Sequence, residues 1–203
     1  MTATTAAAAA VPRIAPLQAP YDPETGAQLE RWMPPGVAAA GVEPLALFRT
    51  LARHGELMSR MRPLGAGILG AAATVPPRLR ELMIDRTCAL TGAEYEWGVH
   101  TAAFGEAVGL DERQLDATAI ATAAGAAGEG SWSEQERTVL QLAEELHETS
   151  TISEPLWHLL SAHFDERQII ELVVTAGWYH AISYLCNGLR VPLEPWARRF
   201  PAQ

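Results

Sequence analysis

From residue 43 to residue 187 apolar side chains recur every three to four positions and show no sustained alternation, so helices are the regular structure this chain supports. Leu45, Phe48, Leu51 and Ala52 share one helical face, and Leu57, Met61, Leu64 and Ile68 share the next, in a helix closed by the glycines of residues 65–70. Pro76 and Pro77 open a third helix with the body RLRELMIDRTCAL, because proline is tolerated in a first turn, and Gly92 ends it. The following helix spans residues 93–108 and stops at Gly109. Asp111 caps another that begins DERQLDATAI. After the glycine-rich loop GAAGEG, Ser133 and Glu136 form a capping-box pattern for SEQERTVLQLAEELHE. Ser153 starts a shorter helix through Phe164, and Asp165 caps a long apolar one to residue 187. DERQL at Asp111 returns as DERQI at Asp165, each behind a helix with Glu-x-x-x-His (Glu96 and His100, Glu154 and His158), an echo of chance or of a duplicated hairpin.

Prolines at 12, 16, 20, 23, 34 and 35 make residues 1–40 an extended Pro/Ala-rich arm with one short turn near residues 28–32; residues 41–203 form the helical domain. With 203 residues and 48% apolar content the chain has enough material for one buried core. A net charge of -9 with no basic run argues against a nucleic-acid partner. The opening MTATTAAAAAVPRIAPL lacks a basic start and is broken by Pro12 and Pro16, so it is a poor signal peptide. No stretch reads as long and apolar enough to cross a bilayer, and the two distant cysteines read as reduced thiols, which together point to the cytoplasm and away from membranes.

On the helix after Gly92, 100° steps align Ala93, Glu96, His100, Ala103 and Ala107, leaving space beside the imidazole, while Tyr95, Trp97 and Phe104 supply bulk for a pocket wall. Glu96 and His100 read equally as a surface i,i+4 pair. Glu81, Asp85 and Cys88 share a side of the preceding helix. A tight turn at Gly92 would let Glu81, set in the apolar run LRELMID, meet His100 as an acid–base pair or a structural ion pair. Arg86 points away from Glu81, so it either pairs with an acidic side chain or reaches substrate from another wall. Cys88 reads as a small core residue or a pocket thiol, and His180, within GWYHAISYLCN, as a core histidine or a pocket residue. His54, His147, His158 and His163 show no ligand spacing, and His158 and His163 are five apart, so no metal centre is expected. GAAGEG lacks the Lys-Ser/Thr and the strand of a phosphate loop.

RELMIDRTCALTGAEYEWGVHTAAFGEAVGLDERQLDA, residues 80–117, resembles the core motif of the carboxymuconolactone decarboxylase and alkylhydroperoxidase AhpD superfamily, and GWYHAISYLCNGLRVPLEP looks like the closing helix and tail of its longer members. The resemblance spans about residues 45–194. In the AhpD branch a CxxC pair is assisted by an upstream glutamate and by a histidine four residues beyond the second cysteine. Glu81 and His100 match that assisting pair, but Ala93 and Glu96 stand at the cysteine positions, so the resemblance does not extend to a dithiol peroxidase cycle. Tyr95-Glu96-Trp97 is instead similar to the decarboxylase-like branch, which works without metal or organic cofactor. That branch implies His100 as main acid/base, Glu81 as its orienting partner and Glu96 as a second pocket carboxylate. Tyr95, Trp97, Cys88, His180 and Arg86 are the further pocket residues to be placed. It also implies an all-α bundle assembled as homotrimers or homohexamers.

The function implied is that of a cofactor-free lyase or isomerase moving a proton on a small lactone, keto acid or enolisable carbonyl. Two others stay open: a redox protein using Cys88 alone, and a non-catalytic oligomeric binder of small molecules.

Overall fold

A computed structural model describes residues 11–33, 42–120 and 132–202. Within them the chain is helical, with no strand. α1 is Pro23–Trp32, and α2 (Ala46–Leu51) passes through a 3-10 turn, Ala52–His54, into α3 (Gly55–Leu69). α4 (Pro77–Leu90), α5 (Glu94–Phe104), α6 (Glu112–Thr118), α7 (Glu134–Thr149), α8 (Glu154–His163) and α9 (Glu166–Leu189) follow.

α4 is the hub, packed against α5, α7 and α9. It can be buried on every side because its body carries Leu82, Met83 and Ile84 in succession, all fully buried. One apolar cluster joins α4 to α7, α8 and the first half of α9 through Leu82, Leu140, Leu156 and Leu172. A second joins α1, α2 and α5 to the second half of α9 through Leu29, Leu47, Val99 and Ile182. Gly92, at φ 65, reverses the chain between α4 and α5, a left-handed conformation that glycine adopts without strain.

The repeated DERQ is a repeated cap. Asp111 with Gln114 and Asp165 with Gln168 each form a reciprocal capping box, as Ser133 does with Glu136. Beyond the cap the echo fails, since exposed His158 donates from Nδ1 to the backbone carbonyl of Glu154 at 2.6 Å, whereas buried His100 meets the carboxylate of Glu81.

Four expectations are corrected. The arm contains a ten-residue helix, α1, where only a short turn was read. Asp22 accepts from Thr25 N at 3.0 Å as N-cap and Pro23 fills the first turn, so the proline starts a helix. Leu29 of α1 is buried in the bundle, and Arg13 N donates to Leu189 O at 2.9 Å, so the described part of the arm docks in cis. α3 runs through Gly65 and Gly67 to Leu69, with Met58 and Ile68 buried and Leu57 and Leu64 exposed. α5 stops at Phe104, four residues short of residue 108, and a turn carries the chain to Gly109. α9 does meet the length and composition of a membrane-crossing helix, although Leu172, Ala176, Tyr179 and Ile182 bury one of its faces in the bundle. Residues 1–10 and 34–41 of the arm and the GAAGEG loop lie outside the described residues.

The C-terminal tail crosses α5 at Gly98, where Arg198 N donates to Gly98 O at 3.2 Å. A Cβ on Gly98 would come 2.2 Å from the carbonyl oxygen of Arg198, which is backbone and cannot swing aside. Gly98→Ala should therefore lift the tail off α5, separate Phe200 from Trp97 and destabilise the fold by about 1–3 kcal/mol. Thermal unfolding with limited proteolysis of residues 194–202 will show it; an unchanged melting temperature and a protected tail would refute this account of the crossing.

Candidate active site

The reversal at Gly92 lays α5 antiparallel against α4 and brings Glu81 Oε2 to 2.8 Å from His100 Nδ1, nineteen residues apart in sequence. On the other side of the ring, Nε2 lies 3.0 Å from the hydroxyl of Tyr179 on α9 and 3.7 Å from Glu96 Oε1. All four side chains are buried. Arg80 Nε stands 3.7 Å from Glu81 Oε1, and Asp85, one turn beyond Glu81, is 1% exposed with neither carboxylate oxygen hydrogen-bonded.

Burial alone would push the His100 pKa down, but the charge and hydrogen bond of Glu81, with smaller contributions from Glu96 and Asp85, outweigh it and raise it to about 9. At neutral pH His100 is then an imidazolium that donates from Nδ1 to Glu81 and from Nε2 to the oxygen of Tyr179. Burial raises the pKa of Glu96; His100 opposes the shift and the negative charge of Glu81 adds to it. Asp85 is pushed well up, first by burial and then by Glu81. Burial, reinforced by Glu96 and Glu81, also raises Tyr179 and keeps its proton on.

Glu96, His100 and Tyr179 form a polar patch on the wall of a cavity of about 550 Å³. Trp32 of α1, Phe48 of α2, Phe104 of α5 and Trp178 of α9 supply much of the remaining wall, with Gly65 and Ala66 of α3. Arg31, Arg62 and Glu43 are its other charged residues. The volume is ordinary for a small-molecule site. Among the described residues no group of three His, Cys, Asp or Glu side chains is placed to hold a metal ion.

Five of the residues read from sequence as pocket residues lie away from this cavity. Tyr95 turns to α2 and the tail, accepting from Leu47 N at 3.1 Å and donating to Glu194 Oε1 at 2.7 Å. Trp97 is fully buried and donates from Nε1 to Thr118 Oγ1 at 2.9 Å, because the face of α5 one residue on from Glu96 meets α6. Cys88 is fully buried beside Trp97 and Tyr179, and burial, then Glu96 and Asp85, drive its thiol pKa well up. His180 donates from Nδ1 to Ala176 O, and its Nε2 lies 3.1 Å from His147 Nδ1. Arg86 is an internal brace: Nε donates to Glu144 Oε1 at 2.9 Å and Nη1 to the carbonyls of Thr118 and Ile120 at 3.0 and 2.6 Å.

Tyr179 was missed, though a signal existed. Leu172, Ala176, Tyr179, Ile182 and Cys186 recur every three or four residues, so Tyr179 belongs to the buried stripe of α9 and His180 falls 100° off it. The cavity side chains of α1 had no signal, since the arm was read as extended.

Residues 55–145 match the model of the carboxymuconolactone decarboxylase family. Among solved structures, an uncharacterised peroxidase-related protein from Silicibacter sp. TM1040 superposes with a TM-score of 0.73 at 16% identity, over 93% of this chain and 96% of its own. An AhpD-core peroxidase-related protein from Ralstonia eutropha JMP134 gives 0.72 at 15%, over 90% and 93%. The debrominase Bmp8 in complex with 2,3,4-tribromopyrrole gives 0.71 at 15%, over 90% and 92%. No curated protein matches the chain. At such identities the structural likeness is one of fold.

Proposed function

We propose that this chain, whose residues 55–145 match the model of the carboxymuconolactone decarboxylase family, is a cofactor-independent lyase or isomerase that moves a proton on an enolisable carbonyl compound. The observation that carries the reading is the convergence of Glu96, His100 and Tyr179 on one patch of an otherwise largely apolar cavity. Tyr179 donates its hydroxyl to the substrate carbonyl oxygen, and the imidazolium of His100, held by Glu81, stabilises negative charge as it grows on that oxygen. Glu96, its pKa raised by burial, is the base. It takes the proton from the carbon next to the carbonyl; the C–H electron pair becomes the C=C bond of the enol, and the carbonyl π pair takes the proton from Tyr179, which takes the Nε2 proton of His100 in its place. Return of the proton to a different carbon is isomerisation. In the lyase variant the C–C bond to a departing carbon dioxide supplies the pair, and Glu96 in its acid form protonates the carbon left behind.

Cys88 has little part in this reading, since thiol chemistry needs an accessible, readily ionised sulfur and Cys88 is fully buried with a raised pKa. The free cysteines fit a reducing compartment, and we propose the cytoplasm. Assembly as trimers or hexamers belongs to the same proposal; Ile170, Val174 and Tyr184 on α9, 63%, 36% and 67% exposed, support an apolar face for a second copy.

The test is solvent-deuterium exchange and carbon dioxide release, read by NMR and mass spectrometry across a panel of lactone acids and enolisable ketones. Exchange or release is expected in wild type, unchanged in Cys88→Ser and lowered by about 10²-fold or more in Glu96→Gln. Loss confined to Cys88→Ser would transfer the site to thiol chemistry. Tight binding across the panel without turnover would make the protein a binder.

A further inference from the structure

The walls of the cavity say more about the substrate than its acid–base groups do. Besides Tyr179, five aromatic side chains line it from five separate segments: Trp32 from α1, Phe48 from α2, Phe104 from α5, Trp178 from α9 and Trp196 from the tail. Positions with little or no side chain, Gly65 and Ala66 of α3 and Ala103 of α5, also line the cavity. A Cβ added at Gly65 would already lie 3.4 Å from the Trp178 ring, so that ring lies close over the α3 backbone. A lining of rings with small residues among them suits a flat apolar guest and gives a strongly hydrated one few partners.

Charge narrows the class further. At the acid–base patch the imidazolium of His100 is already met by Glu81 at 2.8 Å, Glu96 stands 3.7 Å away on the other side, and Asp85 lies one turn behind Glu81. A substrate carboxylate brought to Tyr179 would be a further acidic group beside Glu81, Glu96 and Asp85, where the cations are His100, already met by Glu81, and Arg80, whose Nε stands 3.7 Å from Glu81 Oε1. A neutral carbonyl oxygen needs only the hydroxyl donor. The cavity's cations are Arg31 and Arg62, both exposed, with Arg62 Nε donating to the carbonyl of Arg31 at 2.8 Å and Glu43 close enough to share the wall. Arg49, the other cation nearby, is engaged with Glu43 at 3.0 Å.

Resting on the acid–base reading of this site, we infer that its substrate is a flat, ring-bearing, electrically neutral ketone or its enol tautomer, and that small di-acids are excluded. The ring lies among Trp32, Phe48, Phe104 and Trp178 while its carbonyl oxygen meets Tyr179.

Two enolisable probes of similar size separate the classes: 2-tetralone, a neutral bicyclic ketone, and 2-oxoadipate, an acyclic di-acid. Titration of the full-length protein, followed by the fluorescence of the cavity tryptophans, should give a dissociation constant at least about tenfold lower for 2-tetralone, the equivalent of 1.4 kcal/mol. Ala103→Leu and Phe104→Ala, which fill the slot and remove a wall, should each weaken 2-tetralone by about threefold or more and leave 2-oxoadipate unaffected. Equal or tighter binding of 2-oxoadipate, or 2-tetralone binding indifferent to both variants, overturns the inference. Failure of the acid–base reading would look different. There 2-tetralone binds as expected, but its deuterium exchange above the solvent background is the same in wild type and Glu96→Gln.

Discussion

His100→Gln is expected to lower kcat/KM on a turned-over substrate by about 10²–10⁴-fold, the usual worth of a positioned proton-transfer group. Glutamine keeps a polar side chain beside Glu81 and Tyr179 and removes the positive charge. The loss should therefore fall mainly on kcat, because stabilisation of the developing enolate is a transition-state interaction. The pH profile carries the sharper signature. His100 is raised to about 9, so the imidazolium persists through neutrality and the alkaline limb should fall near pH 9. Glu96 is raised as well, first by burial, and serves as base only once ionised, so the acid limb should sit above the ordinary carboxylate range. Both limbs belong to the interacting Glu96 and His100 together. His100→Gln should abolish the alkaline limb and keep the acid one. Stability follows the same group. A folded-state pKa above the unfolded value means that folding favours the protonated form, so the stabilisation is full below the ordinary value of 6.5 and is lost as pH rises through about 9. Melting temperatures of wild type and His100→Gln should converge over that window. An alkaline limb surviving in the variant would remove His100 from the proton path.

How far the chain could be read from its residues depended on whether a signal was local. Capped helices were legible because a cap is a short-range hydrogen bond: Asp111, Ser133, Ser153 and Asp165 each begin the helix that their side chains suggest. The proximity of Glu81 and His100 was legible for a related reason, since two helices joined by a tight turn at Gly92 have few ways to pack. Three-way junctions were not. Tyr95, Trp97 and Glu96 are consecutive on α5, yet only Glu96 reaches the cavity; the other two are claimed by α2 with the tail and by α6, neighbours that no helical wheel contains. Tyr179 joins the site across 79 residues, so only the buried stripe of α9 could have suggested it. α1 was lost to its prolines: Pro23 was read as a break, although Asp22 ahead of it is the residue that turns a proline into a helix start.

Arg86→Met should be among the most destabilising single changes in the chain, by about 3–5 kcal/mol, because it strands a buried carboxylate. Glu144 is 5% exposed and meets Arg86 Nη2 at 2.7 Å, and the carbonyls of Thr118 and Ile120 lose their guanidinium donor with it. For a domain of this size that is roughly a 10 °C fall in melting temperature. Arg86→Met with Glu144→Met should recover most of it, since two apolar side chains of similar volume satisfy a buried site without desolvating charge. The double variant also decides what the arginine is for. It ties α4 to α7 and to the end of α6, and α4 is the helix that carries Glu81. If its work is to brace α4, proton exchange returns in the double variant together with stability. If the guanidinium instead recognises substrate across a subunit contact, the double variant folds and melts like wild type while its KM rises with kcat unchanged.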